Sequence, residues 1–238
     1  IDWARVKASG IDGAMLRAGY GAGKADVQFA RNARECNRLG IPIGAYWFSY
    51  AWSPDMARRE AEYCLAAIKP YTLDLPVAFD WEYDSMKRAN QNGVTPDKAL
   101  ISDIAVAFLS TIEAAGYYAI NYTNIDYLPR YFDADRLSRY DVWLAAWRDT
   151  RPGARHNLWQ HTSTGRVDGI TGNVDMNRAY IDYPAVIASA GLNRPVVMPD
   201  YAEEVCAALG LADETRAYLD AYRFAPDLWR KIYEALQA

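Results

Sequence analysis

Three acids alternate with large aromatics in the run Phe79-Asp80-Trp81-Glu82-Tyr83-Asp84. The run follows Leu75-Pro76-Val77-Ala78 and reads as the end of a buried strand that fills with acid. Side chains on a strand alternate between its faces, so Val77, Phe79 and Trp81 share one face and Asp80, Glu82 and Asp84 share the other. Carboxylates held side by side repel, and at least one pKa rises. Strands carry such a set mainly where carboxylates do chemistry or hold a cation. The same six residues also read as a solvated acidic strand end leading into a loop.

Little else in the composition offers reactive chemistry. The three cysteines, Cys36, Cys64 and Cys206, lie far apart in helical-looking segments, which suggests neither a disulfide framework nor a zinc site. The two histidines, His156 and His161, are too few for a metal cluster, so no metal and no cofactor are expected. The 18 Tyr and 8 Trp suit a core equally well as a surface that stacks on sugar rings. A formal charge of -4 argues against nucleic acid as a partner. No apolar run approaches the ~18 residues of a membrane span. No initiator Met or signal peptide is visible at Ile1-Asp2-Trp3, and a segment upstream is expected.

The elements around the acids alternate. Asp2 reads as the N-cap of a helix over Trp3 to Ala8, stopped by Gly10. A strand over Ala14 to Tyr20 ends in the turn Gly21-Ala22-Gly23, which lacks the spacing of a phosphate-binding loop. A helix from Asp26 to Leu39, a strand from Ile41 to Tyr50 and a helix opened by Ser53-Pro54-Asp55 and running to Ile68 precede the acidic strand. A polar loop over Lys87 to Gly93 leads to a helix opened by Thr95-Pro96-Asp97. Strands at 118–122, 142–147, 157–161 and 174–177 follow with little helix between them. This order predicts an α/β fold with βαβ units and a parallel sheet of seven strands, where a βα barrel would want eight.

Past Leu192 the pattern changes. Residues 1–188 read as one domain, 189–200 as a linker bracketed by Pro195 and Pro199, and 201–238 as three short helices. Val205, Cys206, Leu209, Leu211, Tyr218, Leu219, Leu228, Trp229, Ile232 and Leu236 recur at helical spacing and read as the core of that small module. Residues 195–238 hold eight acids against the four bases Arg216, Arg223, Arg230 and Lys231, so this tail carries the chain's whole net charge of -4.

Taken in order, the motifs resemble glycoside hydrolase family 25, the Chalaropsis-type lysozymes. They are Ile1-Asp2-Trp3, Gly10-Ile11-Asp12-Gly13 to Arg17-Ala18-Gly19-Tyr20-Gly21, and Gly40-Ile41-Pro42-Ile43-Gly44-Ala45-Tyr46-Trp47-Phe48. Pro76-Val77-Ala78-Phe79-Asp80-Trp81-Glu82, Trp143 to Trp147, Leu158-Trp159-Gln160-His161-Thr162-Ser163 and Gly172-Asn173-Val174-Asp175-Met176-Asn177 follow. The resemblance spans about residues 1–183 and implies an irregular (β/α) barrel, TIM-like, that cuts the β-1,4 bond between N-acetylmuramic acid and N-acetylglucosamine in bacterial peptidoglycan. It matches the family's Asp-x-Glu pair to Asp80 and Glu82 and its late aspartate to Asp175. Tyr46, Tyr122, Trp147 and Gln160 match positions that line the substrate groove. Family members also begin with a strand whose aspartate joins the site. This chain starts after that strand would end, so a barrel lacking its first strand, with an open seam and reduced activity, is expected.

On this reading Glu82 is the general acid, with a raised pKa, while Asp80 and Asp175 stay charged and stabilise or orient the substrate. Attack by the substrate's own acetamido oxygen and attack by water both remain open. Trp47, a strand neighbour of Tyr46, points to the other face and reads as packing. The alternatives are a glycan-binding barrel without turnover, a chitinase-like glycosidase and, with less support, a metal-dependent hydrolase. The expected setting is extracellular or at the cell wall, as a monomer acting on peptidoglycan. The C-terminal helices read as a wall-binding module or a structural cap.

Overall fold

The computed structural model describes residues 1–193, 201–222 and 225–236, and the chain divides into two compact units, Ile1–Pro195 and Val196–Ala238. The larger unit runs α1 (Trp3–Ala8), β1 (Ala14–Tyr20), β2 (Lys24–Ala25), α2 (Phe29–Leu39), β3 (Ile43–Phe48), α3 (Pro54–Ile68), β4 (Val77–Asp80), α4 (Tyr83–Gln91) and α5 (Lys98–Ala114). It continues with β5 (Ala119–Asn124), α6 (Tyr127–Tyr131), β6 (Asp141–Ala145), β7 (Leu158–Gly165), β8 (Val174–Ala179) and α7 (Tyr183–Ala190). Helix starts follow their caps. The Asp2 carboxylate accepts from the Arg5 N–H at 3.2 Å, the Ser53 hydroxyl from Met56 N–H at 3.3 Å, and the Asp97 carboxylate from Leu100 N–H at 2.8 Å.

All eight strands form one sheet in the order β2-β1-β3-β4-β5-β6-β7-β8. The pairs from β1-β3 through β6-β7 are parallel, and the outer pairs β1-β2 and β7-β8 are antiparallel. The sheet curls into a half-barrel. The seven expected strands form; the eighth is the two-residue β2, just after the glycine turn. It meets β1 only at Gly19 and Tyr20. Among the described residues, positions 14–17 of β1 therefore have no strand partner on that side. Gly19 is required there by close approach, because a Cβ would collide with the Trp47 ring and the Lys24 carbonyl.

Two expectations need correction near the acids. The strand ends at Asp80, so Glu82 and Asp84 are not strand residues: Glu82 is the N-cap of α4 and Asp84 lies exposed in its first turn. Residues 87–91, expected as loop, continue that helix. Met86, Lys87, Arg88 and Ala89 are good helix formers, and a cap at Glu82 is enough to start them.

The larger core cluster joins Val77, Phe79 and Trp81 to Ile104, Ala105 and Phe108 of α5 and Ala57, Ala61 and Cys64 of α3. Alternation puts Ala78 on the opposite face, where it clusters with Ile120, Tyr122, Trp143 and Leu158 and with Tyr183 and Ile187 of α7. Helix α1 reaches from the start of the chain to the β7–β8 connection. The Asp2 N–H donates to the Gly169 carbonyl at 2.9 Å, and Arg5 Nε to Asp168 at 3.1 Å. Gly169 has φ +91, and a Cβ there would collide with the Asp2 carbonyl.

The smaller unit holds α8 (Tyr201–Leu209), α9 (Asp213–Asp220) and α10 (Ala225–Leu236). Its core is Ala202, Val205, Ala225 and Trp229, with the Trp229 indole donating to Asp220 at 2.8 Å. Leu209, Tyr218 and Leu236, expected in that core, are exposed; three helices this short offer few interior positions. Residues 194–200 of the expected linker lie outside the described residues. Among the described residues no helix is long and apolar enough to cross a membrane.

Candidate active site

Asp80 ends β4, in register with Phe48 of β3 and Tyr122 of β5. It is 4% exposed, and no neighbouring N–H or O–H reaches its Oδ1. The chain then turns sharply. Trp81 plunges into the core, its indole donating to the Ala51 carbonyl at 3.0 Å, and Glu82 caps α4, its N–H donating to the Ser85 hydroxyl at 3.0 Å. This strand-to-helix junction returns the Glu82 carboxyl to Asp80, close enough that each perturbs the other's ionisation. Two like charges held so near each other disfavour double ionisation.

Both pKa values rise. Asp80 is pushed well above the ordinary range, first by burial and then by the Glu82 charge, against the pull of Arg17. Glu82 is raised by burial, with the Asp80 hydrogen bond opposing and the charges of Asp84 and Asp175 adding. The direction runs against the expectation that Asp80 stays charged, because burial and the neighbouring Glu82 charge both disfavour its ionised form. Asp175 stands on the edge strand β8, exposed as a residue, and partial desolvation of its carboxyl raises its pKa as well.

Tyr46, Trp143 and Tyr122 form the wall beside these acids. Trp143 lies edge-on to Tyr46, with ring centroids 6.0 Å apart, and to Tyr122, at 4.7 Å. The fields of Asp80 and Asp175 reach both tyrosines. Burial lifts Tyr46 to about 12, so it stays a phenol and can donate. Gln160 is buried on β7; its Oε1 accepts from Trp147 Nε1 at 3.1 Å and from the Tyr122 hydroxyl at 3.4 Å. Trp147 is 65% exposed, so the Gln160 bond holds out a ring that water would otherwise leave loose. The structure thus brings Asp80, Glu82, Asp175, Tyr46 and Tyr122 into one electrostatic neighbourhood and links Gln160 and Trp147 to it. Trp47 is buried elsewhere, donating to the Gly21 carbonyl at 3.2 Å, as its packing role requires.

Three further residues belong here. Trp143 Nε1 donates to Asn177 at 2.8 Å, and Asn177 reaches the Asp175 carbonyl at 3.3 Å, which ties the β8 acid to the wall. Both lie in the stretches that carry the resemblance, so their position was the available signal. Arg17 is held by Asp26 at 2.7 and 2.9 Å, and its charge acts on Asp80 and Tyr46. A cavity of about 350 Å³ beside Tyr46 is lined by Met15, Leu16, Arg17, Asp26, Phe29 and Asn32.

Residues 1–170 match Glycosyl hydrolases family 25, a span that includes the Asp80–Glu82 junction and stops short of Asp175. The uncharacterized protein YegX of Escherichia coli O157:H7 is 27% identical over 186 residues, 74% of this chain and 64% of YegX. Lysozyme M1 of Streptomyces globisporus is 24% identical over 189 residues, 75% of this chain and 63% of that protein. The chain thus spans somewhat under two thirds of the length of these curated relatives. The modular autolysin LytC of Streptococcus pneumoniae superposes with a TM-score of 0.64 at 31% identity, covering 74% of this chain and 42% of LytC. LytC has also been solved with a synthetic peptidoglycan ligand. With its family match covering most of the larger unit, the chain belongs to glycosyl hydrolases family 25.

Proposed function

We propose that this chain is a peptidoglycan hydrolase, an N-acetylmuramidase that cleaves the β-1,4 bond between N-acetylmuramic acid and N-acetylglucosamine. The observation that carries the reading is the buried Asp80 at the end of β4 beside Glu82 at the start of α4, both pKa values raised and the charge of Asp175 acting on Glu82. Glu82, the more exposed of the pair, gives its proton to the leaving glycosidic oxygen. Asp175 offers negative charge where positive charge develops at the sugar ring. The Tyr46 phenol donates to a substrate oxygen, Tyr122, whose hydrogen goes to Gln160, offers its oxygen as an acceptor, and Trp147 offers a sugar ring an apolar plate. The names of Lysozyme M1 and the LytC autolysin, and the peptidoglycan ligand seen on LytC, support the choice of substrate.

In this proposal the curled sheet, with α7 and the residues through Asn193 that the expected linker had included, serves as the catalytic (β/α) barrel and 201–238 as a separate module. The protein works as a monomer outside the cytoplasm, at the cell wall. Clearing of a peptidoglycan suspension tests it. Glu82→Gln should abolish clearing while wall binding and the unfolding midpoint persist. Asp175→Asn should lower turnover by ~10²–10⁴. Clearing by the Glu82→Gln protein would remove Glu82 as the acid. The free edge of β1 at positions 14–17 favours one competing reading, a glycan-binding half-barrel without turnover; an unmutated chain that binds walls but releases no reducing ends would decide for it.

A further inference from the structure

The turn Ser49–Ala51, just past β3, is tied to each residue of the catalytic junction. The Ser49 N–H donates to the Asp80 carbonyl at 2.7 Å. The Ala51 carbonyl accepts from the Trp81 indole at 3.0 Å. The Ser49 carbonyl accepts from the Ser85 hydroxyl at 2.6 Å, and that hydroxyl accepts in turn from the Glu82 N–H at 3.0 Å. The turn is also held from behind. The Ala51 N–H donates to the Ser49 hydroxyl at 3.1 Å, and the Tyr50 N–H to Glu60 Oε1 at 3.1 Å. Ser49, Ala51, Trp81 and Ser85 are wholly buried, and Glu60 on α3 is 2% exposed.

Glu60 is anomalous as a packing residue. Burying a carboxyl is costly unless it does something an apolar side chain cannot. Its Oε2 accepts no hydrogen bond, and burial lifts the acid to about 7 against the opposing Ser49 and Tyr50 contacts. What Glu60 supplies is an acceptor for a turn amide that β3 leaves unpaired. Ser85 is committed as fully: its single hydroxyl hydrogen goes to Ser49 and its lone pair to Glu82, so it cannot be shortened without orphaning both.

We propose that Glu60 and Ser85 are positioning residues, which fix the Ser49–Ala51 turn from opposite sides and through it hold the Asp80 and Glu82 carboxyls in contact. Neither reaches the cleft, so both act through the junction and not on substrate. The proposal rests on the reading of Glu82 as the acid, and the experiment separates the two.

Steady-state kinetics on solubilised peptidoglycan, with the full chain held well below each variant's melting point, provide the test. Ser85→Ala and Glu60→Leu should each lower kcat about tenfold or more, the scale of a small misplacement of a catalytic group, with KM unchanged. Glu60→Gln keeps an Oε1 acceptor for the Tyr50 N–H and should restore kcat. If Glu60→Leu does not fold, Ser85→Ala and Glu60→Gln carry the comparison. Unchanged kcat in Ser85→Ala overturns the proposal, as does a Glu60→Gln enzyme as slow as Ser85→Ala. Glu82→Gln is run alongside: activity there removes the acid assignment by itself, whereas an inactive Glu82→Gln beside a fully active Ser85→Ala overturns only the positioning role.

Discussion

On the proposed reading, the proton on Glu82 sets the pH range in which the site can act. An isolated glutamic acid loses its proton near pH ~4.3, and burial together with neighbouring charge moves Glu82 above that value. Asp84, exposed and outside the cleft, adds its like charge to the push. Removing that charge favours the Glu82 carboxylate, so its pKa falls. Asp84→Asn should therefore shift the alkaline limb of the kcat/KM profile to lower pH while leaving the maximal rate near that of the unmutated enzyme. A limb that stays in place would mean that another group sets it. At this scale the acidic run stood out in the sequence because carboxyls two residues apart follow an apolar run, although a solvated strand end would read the same way. How they meet was not: alternation put them on one face as strand neighbours, whereas a helix cap brings Glu82 back. Glu60 and Ser85 were invisible for a different reason. In Arg58-Arg59-Glu60-Ala61-Glu62 a glutamate looks like one more solvated charge of an amphipathic helix, and only three-dimensional burial distinguishes it.

The βα alternation of the first half came from signals that act locally: the caps Asp2, Ser53 and Asp97 and the apolar strands between them. Elements set by distant contacts were harder to see, and α7 with the residues after it is the clearest case. Tyr183 and Ile187 of α7 fill the inner face of the sheet, and Asn193 then pins the entries of two strands. The Asn193 N–H donates to the Gly116 carbonyl at 2.9 Å, its Oδ1 accepts from Tyr118 N–H at 2.7 Å, and its Nδ2 donates to the Leu75 carbonyl at 2.8 Å. It does so at φ 53, a left-handed conformation that asparagine tolerates better than most residues. Asn193→Ala would orphan the Tyr118 N–H and the Leu75 carbonyl at a buried site, and should cost about 1–3 kcal/mol in denaturant unfolding. Asn193→Gly, which relieves the backbone but makes neither side-chain bond, should lose most of the same stability. Little loss in either would show that water replaces the side chain.

At the scale of the whole molecule, each unit has a core of its own. The larger holds two clusters built from residues 1–193, and the smaller a single cluster around Val205 and Trp229. The break in composition near Leu192 made this division legible, although helical periodicity overstated how many residues the small core could bury. A chain ending at Pro195 should therefore keep the thermal transition of the larger unit unchanged, as followed by near-UV circular dichroism. A large drop in that transition would mean that the small unit supports the larger. The contacts of α1 with the β7–β8 connection bear on the order in which the molecule forms. Arg5 and Asp168 are 163 residues apart in sequence, and contacts that close so long a stretch of chain are entropically the last to become worthwhile. The closures within the sheet, including the β7–β8 hairpin that carries Asp175, are all shorter, so the α1 contact should form after the sheet. During synthesis Asp80 and Glu82 leave the ribosome ahead of Asp175, so the growing chain carries the acid pair before it carries the third carboxylate.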